Sequence, residues 1–444
     1  MSTLFTNARL INPAERLDST GAIQLSDGGL IEAIAFEPQT LEAAMNVRVI
    51  DFTGGIIASG LFDMHCHFRE PGFEYKETIS SGAASAVAGG FTGVAVMPNT
   101  EPCIDHPGIV HYIQHHAASL PVDIEVIGAL TAARKGEKIS GYADLAASGV
   151  KALSDDGSPV MNSRVMRHAF EYAAAFGLLV IQHCEDTCLT DGGAMNEGYY
   201  SSLLGLRGIA SISESIVASR DLSLVRYLAE GLPEHSPLRP RYHIAHISTR
   251  ETLKLVREAK AEGLQVSCEV APHHFALSDK DVFESGYDGN FRMNPPLRSD
   301  RDREAVLEAL ADGTIDCIAT DHAPHAEHEK DCGFAQAAFG IVGLETAVGL
   351  TFTHLVETHL VTPARAIELL STAPRKLLQL PEIHFKVGAP ANLTFIDPKA
   401  AWTVDTSNLK SKSHNSPFHN VRLTGKPVGI ASKGRLILDH ARFA

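Results

Sequence analysis

The sequence predicts an α/β fold, a (β/α)8 TIM barrel that carries a small β-sandwich domain built from both termini. Eight short apolar runs alternate with longer helical patterns between residues 55 and 385. The runs are almost continuously apolar, which is typical of parallel strands covered on both faces. Both ends of the chain instead contain short strand-like runs separated by turn residues. These patterns predict a barrel over 55–385 and a sandwich made of 1–54 and 386–444.

The eight runs follow one another at regular intervals. In chain order they are GGIIASGLFDMHCH, FTGVAVMPN, VDIEVIGAL, GVKALSDDG, LLVIQHCED, RYHIAHIST, LQVSCEVAPHH and IDCIATDHAPH. Between them lie helical patterns such as SRVMRHAFEYAAAFG and TRETLKLVREAKAEG, and several end in glycine, which favours a helix C-terminus. An open doubly wound sheet is the alternative, but it does not require eight units of this regularity. The pattern therefore favours a barrel.

The composition limits the classes of partner. The 444 residues carry a formal net charge of −15, with 44% hydrophobic and 20% charged side chains. This charge argues against nucleic acid or a membrane surface as partners, because both attract basic proteins. No apolar run reaches the ~18 residues of a transmembrane helix, and the first residues do not resemble a signal peptide. Seven scattered cysteines indicate reduced thiols and a cytoplasmic location.

Side chains of metal-binding type follow five of the eight runs, at the strand ends where barrel enzymes carry their chemistry. They are His65 and His67, Asp155 and Asp156, His183 with Glu185 and Asp186, His246, and Asp321 with His322 and His325. Because a strand has a period of two residues, His65 and His67 project to the same side. Two neutral imidazoles there can share one divalent metal ion. Any one of these histidines could be an ordinary buried residue, but together they predict a metal centre.

Eight motifs in one order give the sequence a family likeness. DMHCHFREPG, VAVMPNT, SDDG, QHCED, HIAHIST, RMNPPLR, ATDHAPH and FGIVGLET resemble the motifs of the dihydroorotase family, of the bacterial class I type within the amidohydrolase superfamily. A single H-x-H motif is weak, but this ordered set spans nearly the whole chain. The resemblance implies zinc-dependent, reversible hydrolysis of (S)-dihydroorotate to N-carbamoyl-L-aspartate in de novo pyrimidine biosynthesis.

The resemblance also implies a role for each site residue. One zinc ion would be bound by His65 and His67, and a second by His183 and His246. Asp156 would bridge the two ions, and Asp321 would bind metal and act as the general base and then acid. One or two zinc ions per subunit are compatible with these ligands, and two are favoured. The residues implied in substrate binding are His67, Arg69, Asn99, Asn294, His325, Phe339 and Gly340.

The chemistry of these residue types agrees with such roles. Hydrolysis of a cyclic amide near neutral pH needs a hydroxide, and metal binding lowers the pKa of water from ~15.7 to about 7. Asp321 could accept the proton and deliver it to the leaving ring nitrogen. Arg69 suits a carboxylate, because its guanidinium can form two parallel hydrogen bonds. Alternatively, Arg69 could form a structural ion pair with Glu70 or Glu77.

Several residues near the predicted site allow a second interpretation. Asn99 and Asn294 could serve turns or helix caps, and His322 is expected to support Asp321. Many members of the superfamily bridge their metals with a carbamylated lysine, for which Lys151 is the candidate, although it lies too early in its strand. The segment 325–338 could close over the substrate as a lid.

Two further functions compete with this interpretation. A sister enzyme such as allantoinase or dihydropyrimidinase would act on substrates without the ring carboxylate, and Arg69 with Asn99 argues against it. A metal-free scaffold for a partner such as aspartate transcarbamoylase would typically lack ligands, and none is missing here. A homodimer and an association with aspartate transcarbamoylase are both compatible with the resemblance.

Overall fold

The computed structural model describes residues 1–37, 39–42 and 44–439. Its strands are β1 Thr3–Asn12, β2 Leu17–Leu25, β3 Ile31–Phe36, β4 Arg48–Asp51, β5 Ile56–Ser59, β6 Leu61–Cys66, β7 Phe91–Val96, β8 Asp123–Val126, β9 Gly128–Ala129, β10 Ala152–Ser154, β11 Leu179–Gln182, β12 Met195–Asn196, β13 Gly208–Ile209, β14 Arg241–Ile244, β15 Val266–Val270, β16 Cys317–Ile318, β17 Leu393–Thr403, β18 Arg422–Ser432 and β19 Arg435–Leu438.

The α-helices alternate with the central strands. They are α1 Ile79–Ala88, α2 Pro107–Ala117, α3 Tyr142–Ala147, α4 Ser163–Ala175, α5 Thr187–Thr190, α6 Tyr199–Leu204, α7 Ile212–Ala229, α8 Arg250–Ala261, α9 Pro272–Ala276, α10 Asp279–Glu284, α11 Asp300–Asp312, α12 Glu327–Lys330, α13 Ala347–Thr351, α14 Pro363–Ile367 and α15 Ala373–Leu377. Single turns of 3-10 helix cover Pro13–Glu15, Ala132–Arg134, Gly289–Phe291 and Thr406–Asn408, and π-helical turns cover Phe352–Val356 and Glu368–Thr372. None of these described helices is long and apolar enough to cross a membrane.

The helices predicted from sequence are confirmed where their apolar faces are periodic. Helix α4 buries residues such as Val165, Ala169 and Ala173 on one face. Its first turn is capped by the Asn162 side chain, which accepts hydrogen bonds from two backbone N–H groups, an arrangement that stabilises helix starts. Helix α8 begins in the same way at Thr249.

The central strands are parallel and follow chain order. They form two parallel stretches of sheet. The first has the strand order β6-β7-β8, and the second has the order β9-β10-β11-β14-β15-β16. The backbone N–H of Ile127, between β8 and β9, donates to the carbonyl of Val96 at 3.0 Å. At the other side, His322 forms a parallel bridge with Cys66. The predicted α/β class, with parallel strands alternating with helices, is confirmed.

The first predicted strand is in fact two strands. Strand β5 pairs with β1 and β17, whereas β6 pairs with β7 in the central sheet. Gly60 lies at the change of sheet, and a Cβ atom there would lie 1.9 Å from Oδ1 of Asn392 and 2.2 Å from Oγ1 of Thr92. The run GGIIASGLFDMHCH is apolar throughout, so its pattern does not reveal where the chain leaves one sheet for another.

Strands from both ends of the chain form one sheet. Its order is β19-β18-β17-β5-β1-β2-β3, with β4 alongside β1, and β17 pairs antiparallel with β5. The rings of Phe5 and Phe395, from opposite ends of the sequence, lie 4.7 Å apart in its core. This sheet ties the termini to the start of β6, which carries the first histidines of the candidate site.

Candidate metal and substrate site

Six titratable side chains converge at the C-terminal ends of the parallel strands. They are His65 in β6, His67 just after it, Asp156 after β10, His183 after β11, His246 after β14 and Asp321 after β16. All six are buried, although they come from five separate strands. They form two groups that share Asp156: one with His65, His67 and Asp321, the other with His183 and His246. The structure therefore brings together all the metal ligands expected from the sequence.

The first histidine pair, His65 and His67, faces both carboxylates. Nε2 of His67 lies 3.1 Å from Oδ1 of Asp321 and 3.4 Å from Oδ2 of Asp156. Nε2 of His65 lies 3.5 Å from Oδ1 of each aspartate. Two imidazole nitrogens and two carboxylates thus point at one small volume.

The second histidine pair, His183 and His246, faces the other side of Asp156. Nε2 of His246 lies 3.2 Å from Oδ1 of Asp156, and Nδ1 of His183 lies 3.7 Å from the same oxygen. The two nitrogens are 3.0 Å apart. Asp156 therefore lies between the two histidine pairs, where its carboxylate can contact ions held by either.

In three of the four imidazoles, the ring nitrogen that points away from the two aspartates faces a hydrogen-bond acceptor, which orients the ring. Nδ1 of His65 lies 2.5 Å from Oε1 of Glu269, and Nδ1 of His67 lies 2.8 Å from Oδ1 of Asn99. Nε2 of His183 lies 2.8 Å from Oε2 of Glu185. An acceptor at one nitrogen fixes the ring proton there and leaves the lone pair of the other nitrogen free to bind a metal.

The chemistry of the side chains in this cluster fits a divalent metal ion. Nε2 of His65 is buried without a hydrogen-bond partner among the described residues, yet it faces two carboxylates. Burial acts to raise the pKa of the Asp156 carboxyl, but the adjacent histidines hold that pKa well below its usual value. The site therefore presents ionised oxygen and imidazole nitrogen ligands, the set that zinc and similar ions prefer.

Lys151 does not reach this cluster. It is exposed and immediately precedes β10, whereas Asp156 follows that strand at its opposite end. A carbamylated lysine bridge at Lys151 is therefore wrong for this structure. Asp156, by contrast, lies between the two histidine pairs.

Arg69 is a buried cation beside the metal cluster. Its Nε donates to the carbonyl of Pro324 at 3.2 Å, and its Nη2 lies 3.4 Å from Nε2 of His325. Burial lowers its pKa to about 10, so it stays charged at neutral pH. Within residues 1–37, 39–42 and 44–439, no carboxylate forms an ion pair with it. The structural ion pair with Glu70 or Glu77 that the sequence allowed is therefore not present.

Those two glutamates bind different groups. Glu70 accepts from the backbone N–H of Ile79 and from the Tyr112 hydroxyl, at 2.8 and 2.9 Å. Glu77 accepts from the Ser411 hydroxyl and from the backbone N–H of Lys412. The Arg69 guanidinium is left with donors that a bound anion could use.

Residues 323–325 and 339–340, which follow β16, form a wall next to Arg69, the substrate wall. Nε2 of His325 lies 2.8 Å from the carbonyl of Phe339, and the Phe339 ring lies 4.0 Å from the guanidinium carbon of Arg292. Gly340 has a φ of +121°, and a Cβ atom there would lie 2.5 Å from the Cβ of Ala323. A side chain at this position would therefore displace the wall. Burial lowers the pKa of His325 to about 2, so its imidazole is neutral.

Asn99 and Asn294 contact the groups that orient the metal ligands. Asn99 accepts from His67, and Nδ2 of Asn294 donates to Oε2 of Glu185 at 2.8 Å. Nδ2 of Asn294 also lies 3.3 Å from Nε2 of His183. These side chains therefore face the site, and neither serves a turn or a helix cap.

His322 does not support Asp321, contrary to expectation. Its Nε2 lies 3.4 Å from Oε2 of Glu77, and its Nδ1 accepts from the backbone N–H of Gly343 at 3.1 Å. Both ring nitrogens of His322 are thus bound by groups outside the metal cluster, and neither contacts Asp321. The carbonyl of His322 still accepts from the backbone N–H of His67 at 2.8 Å.

Sequence reasoning missed Glu269. Its carboxylate is buried in β15 and contacts His65 at one oxygen, while its Oε2 lies 3.2 Å from Nε2 of His243. A signal for it exists, because Glu269 is the one acidic residue in the apolar run LQVSCEVAPHH. A charged group inside such a strand requires a polar partner.

A cavity of about 700 Å³ opens beside the wall. Its lining includes Tyr75, Tyr287, His325, Lys330 and Asn415. The cavity therefore borders the wall at His325, whereas the histidines of the metal cluster are almost fully enclosed.

Comparisons with known proteins find relatives over nearly the whole chain. Residues 54–252 match a family model described as dihydro-orotase-like. The chain is 55% identical over 438 residues to a dihydroorotase of Chlorobaculum tepidum, covering 99% of this chain and 100% of that protein. It is 46% identical over 392 residues to a dihydroorotase of Pelotomaculum thermopropionicum, covering 88% and 89% of the two chains.

Solved structures with the same fold are more distant in sequence. An L-hydantoinase (dihydropyrimidinase) from Arthrobacter aurescens superposes with a TM-score of 0.82 at 22% identity, covering 98% of this chain and 96% of that one. A dihydropyrimidinase from Brevibacillus agri NCHU1002 gives 0.82 at 18% identity, covering 100% and 96%. At these identities the likeness establishes a shared fold and carries no information about substrate.

Proposed function

Because this chain belongs to the dihydroorotase family, we propose that it reversibly hydrolyses (S)-dihydroorotate to N-carbamoyl-L-aspartate, a step of de novo pyrimidine biosynthesis. The enzyme is a cyclic amidohydrolase. The structural observation that carries the choice of substrate is Arg69. A buried guanidinium without a carboxylate partner among the described residues lies beside a His/Asp metal cluster, and dihydroorotate supplies a ring carboxylate.

Uncharged cyclic amides fit this feature less well. Allantoin and dihydrouracil have no carboxylate to offer Arg69, so binding either would leave a buried cation uncompensated. Such a cation is costly in a low-dielectric environment. Dihydroorotate could instead accept two parallel hydrogen bonds from the guanidinium, which supports it over the uncharged relatives.

For the metal ions, we propose that the first histidine pair holds one zinc ion and the second histidine pair holds another, with Asp156 between them. Asp321 would complete the first group. Two ions per subunit are favoured because the two groups share only Asp156, although one ion could use the first group alone. Such an ion supplies Lewis acidity, which lowers the pKa of water from ~15.7 to about 7 and polarises the scissile carbonyl.

Asp321 is proposed to move the proton. Its side chain is 9% exposed, more than the 6% of Asp156, so it is the more accessible carboxylate of the cluster. Burial acts to raise its pKa, but hydrogen bonding from His67 and the nearby histidine charges hold that pKa below its usual value. The carboxylate is therefore in its basic form at neutral pH. It can accept a proton from the attacking water and donate it to the leaving ring nitrogen.

The remaining assignments concern the substrate. We propose that Arg69 binds the ring carboxylate with the help of Asn99, and that His325 lies beside Arg69 as a neutral hydrogen-bonding group. Asn294 would contact the substrate near the second histidine pair, and His67 near the first. Phe339 and Gly340 would lie against the edge of the ring, and glycine at 340 keeps the wall in place because a side chain there would strike Ala323.

The complete architecture is also a proposal. The Val96–Ile127 and Cys66–His322 contacts support closure of the two parallel stretches into one (β/α)8 barrel over residues 55–385. For 1–54 and 386–444, the shared sheet supports one small domain built from both termini. Its folding into a sandwich is supported by Gly29 and Gly434, near opposite ends of the sheet, because a Cβ atom on Gly29 would lie 2.5 Å from the Cα of Gly434.

The cellular setting follows the same interpretation. Seven free cysteines support a cytoplasmic location, and the net charge of −15 argues against nucleic acid or membrane partners. A homodimer and an association with aspartate transcarbamoylase are extensions that analytical ultracentrifugation, alone and with that enzyme, would test.

The function is tested by metal analysis and a three-substrate assay. We expect the purified protein to retain zinc and to hydrolyse dihydroorotate far faster than allantoin or dihydrouracil. A protein that holds metal but prefers dihydrouracil would be a dihydropyrimidinase. A protein that holds no metal and hydrolyses none of the three would support the scaffold function.

A further inference from the structure

A segment from the C-terminal part of the chain packs against the wall beside Arg69 and lines the cavity next to it. Residues 411–416, the 411–416 strap, lie between the Thr406–Asn408 turn and β18. Burial alternates from 411 to 415: Ser411, Ser413 and Asn415 are buried, whereas Lys412 and His414 are exposed. Ser416 is also buried. The buried side chains are polar, so each needs a hydrogen-bond partner beneath the strap.

The first half of the strap is fixed to the loop between β6 and α1. The Ser411 hydroxyl donates to Oε2 of Glu77, whose Oε1 accepts from the backbone N–H of Lys412 at 3.1 Å. The Ser413 hydroxyl donates to the carbonyl of Lys76 at 2.7 Å. These contacts join the strap to the segment that follows Arg69 in the chain, and Nζ of Lys76 in that segment lies 3.4 Å from Nδ1 of His325.

Asn415 instead joins three points of the substrate wall. Its Oδ1 accepts from the backbone N–H of His325 at 3.1 Å. Its Nδ2 donates to the carbonyls of Ala323 and Gly340, at 3.0 and 3.1 Å. Its own carbonyl accepts from the backbone N–H of Val342 at 2.9 Å. The side chain is 5% exposed, so water does not replace these bonds.

These bonds determine where the wall lies relative to Arg69. Residues 323–325 include the Pro324 carbonyl that accepts from the Arg69 guanidinium, and His325, whose ring lies beside it. Gly340 is the point where the chain passes too close to Ala323 to carry a side chain. The Asn415 amide therefore acts with the backbone bond from the Ala323 N–H to the Ile341 carbonyl, at 2.8 Å, to hold these two wall segments against each other.

We propose that Asn415 is a positioning residue for the substrate carboxylate and ring-edge contacts, and that the C-terminal segment thereby contributes to substrate specificity. This inference rests on the proposed function. It adds that the substrate site is not made by residues 55–385 alone. Asn415 acts through His325, Gly340 and Arg69, and misplacing such contacts by about 1 Å can cost ~10²-fold in rate.

The test compares Asn415→Ala and Asn415→Asp with His414→Ala, an exposed neighbour on the same strap. Asn415→Ala removes all the side-chain bonds. Asn415→Asp keeps an acceptor for His325 but places a carboxylate oxygen against the carbonyls of Ala323 and Gly340. For each variant, kcat and KM for dihydroorotate, the slow turnover of dihydrouracil, zinc content and melting temperature are measured.

We expect both Asn415 variants to raise KM for dihydroorotate by about tenfold or more, with kcat changed by no more than about threefold. Zinc content should remain close to the wild-type value, because Asn415 contacts no metal-binding residue. The slow turnover of dihydrouracil should fall less than that of dihydroorotate, because dihydrouracil shares the ring-edge contacts but lacks the carboxylate that Arg69 would bind. His414→Ala should match the wild type in every measurement.

Four results would overturn the inference. An unchanged KM in a folded Asn415 variant would leave Asn415 without a role in the substrate site. Equal losses on dihydroorotate and dihydrouracil, or a loss of zinc, would make it a general structural residue, as would failure of both variants to fold. If the wild type itself does not hydrolyse dihydroorotate, the proposed function fails first, and that result is separate from the variant comparison.

Discussion

Nδ1 of His65 lies 2.5 Å from Oε1 of Glu269, and both groups are almost completely buried. The second carboxylate oxygen of Glu269 lies 3.2 Å from Nε2 of His243, whose Nδ1 lies 2.8 Å from the Ser267 hydroxyl. A chain of buried polar groups thus extends from His65 in the metal cluster through Glu269 and His243 to Ser267. A carboxylate behind a metal-binding imidazole fixes its tautomer and makes its free nitrogen a stronger ligand.

The first prediction concerns Glu269. Glu269→Ala should weaken zinc binding by about 10- to 100-fold, the usual effect of removing such an outer partner. Glu269→Gln keeps an acceptor for His65 without the charge, so its loss should be smaller. The measurement is competition for zinc with a chelator of known affinity, using Glu258→Gln, an exposed site on α8, as the control. Wild-type zinc affinity in a folded Glu269→Ala protein would remove Glu269 from the metal site.

The second prediction concerns Asp321. Asp321→Asn should retain much of the metal through the histidines and Asp156 but lose the group that moves the proton. We expect kcat to fall by ~10²-fold or more. Steady-state assays on protein of measured zinc content check this. Near-normal turnover by the metal-loaded variant would show that another group carries the proton.

The third prediction separates Asp156 from Lys151. Asp156→Ala should lose both metal and activity, because its carboxylate lies between the two histidine pairs. Lys151→Ala should change neither, because that side chain is exposed at the opposite end of β10. Zinc content and turnover are measured for both. If Lys151→Ala were inactive and regained activity with added short-chain carboxylic acids, a carbamylated lysine would be the bridge after all.

The fourth prediction concerns the segment 325–338. The ammonium group of Lys330 donates to the carbonyls of Ala338 and Gly340, at 2.7 and 2.9 Å, so the end of the segment is anchored. The exposed residues 331–333 between these contacts are the part that can move. We expect a substrate analogue to slow proteolytic cleavage in this segment. Equal cleavage rates with and without the analogue would contradict a lid.

The sequence predicted the features that depend on local pattern. The parallel strands, the helices α4 and α8, and the six clustered metal-binding residues follow from apolar periodicity and from polar residues placed at strand ends. Each of these signals is contained in one short stretch of sequence, so the structure had only to bring the stretches together.

The sequence did not predict the features that depend on contacts between residues far apart in the chain. The change of sheet at Gly60 is set by Asn392, more than 300 residues away. The role of Asn415 depends on two loops that precede it by about 75 and 90 residues. His322 does not contact Asp321 because its two ring nitrogens bind Glu77 and the backbone N–H of Gly343. No periodicity in the sequence encodes such pairings.

The central claim is that Arg69 selects a substrate with a carboxylate. It is tested by the ratio of kcat/KM for dihydroorotate to that for dihydrouracil, measured in the wild type and in Arg69→Met. Arg167→Met, on the exposed face of α4, is the matched control. Losing a charge-assisted bidentate contact costs a few kcal/mol, so kcat/KM for dihydroorotate should fall by roughly 10²-fold or more. Turnover of dihydrouracil should hardly change, and the ratio should therefore collapse. If both activities fall by the same factor, Arg69 supports the structure, and the assignment of dihydroorotate loses its main physical basis.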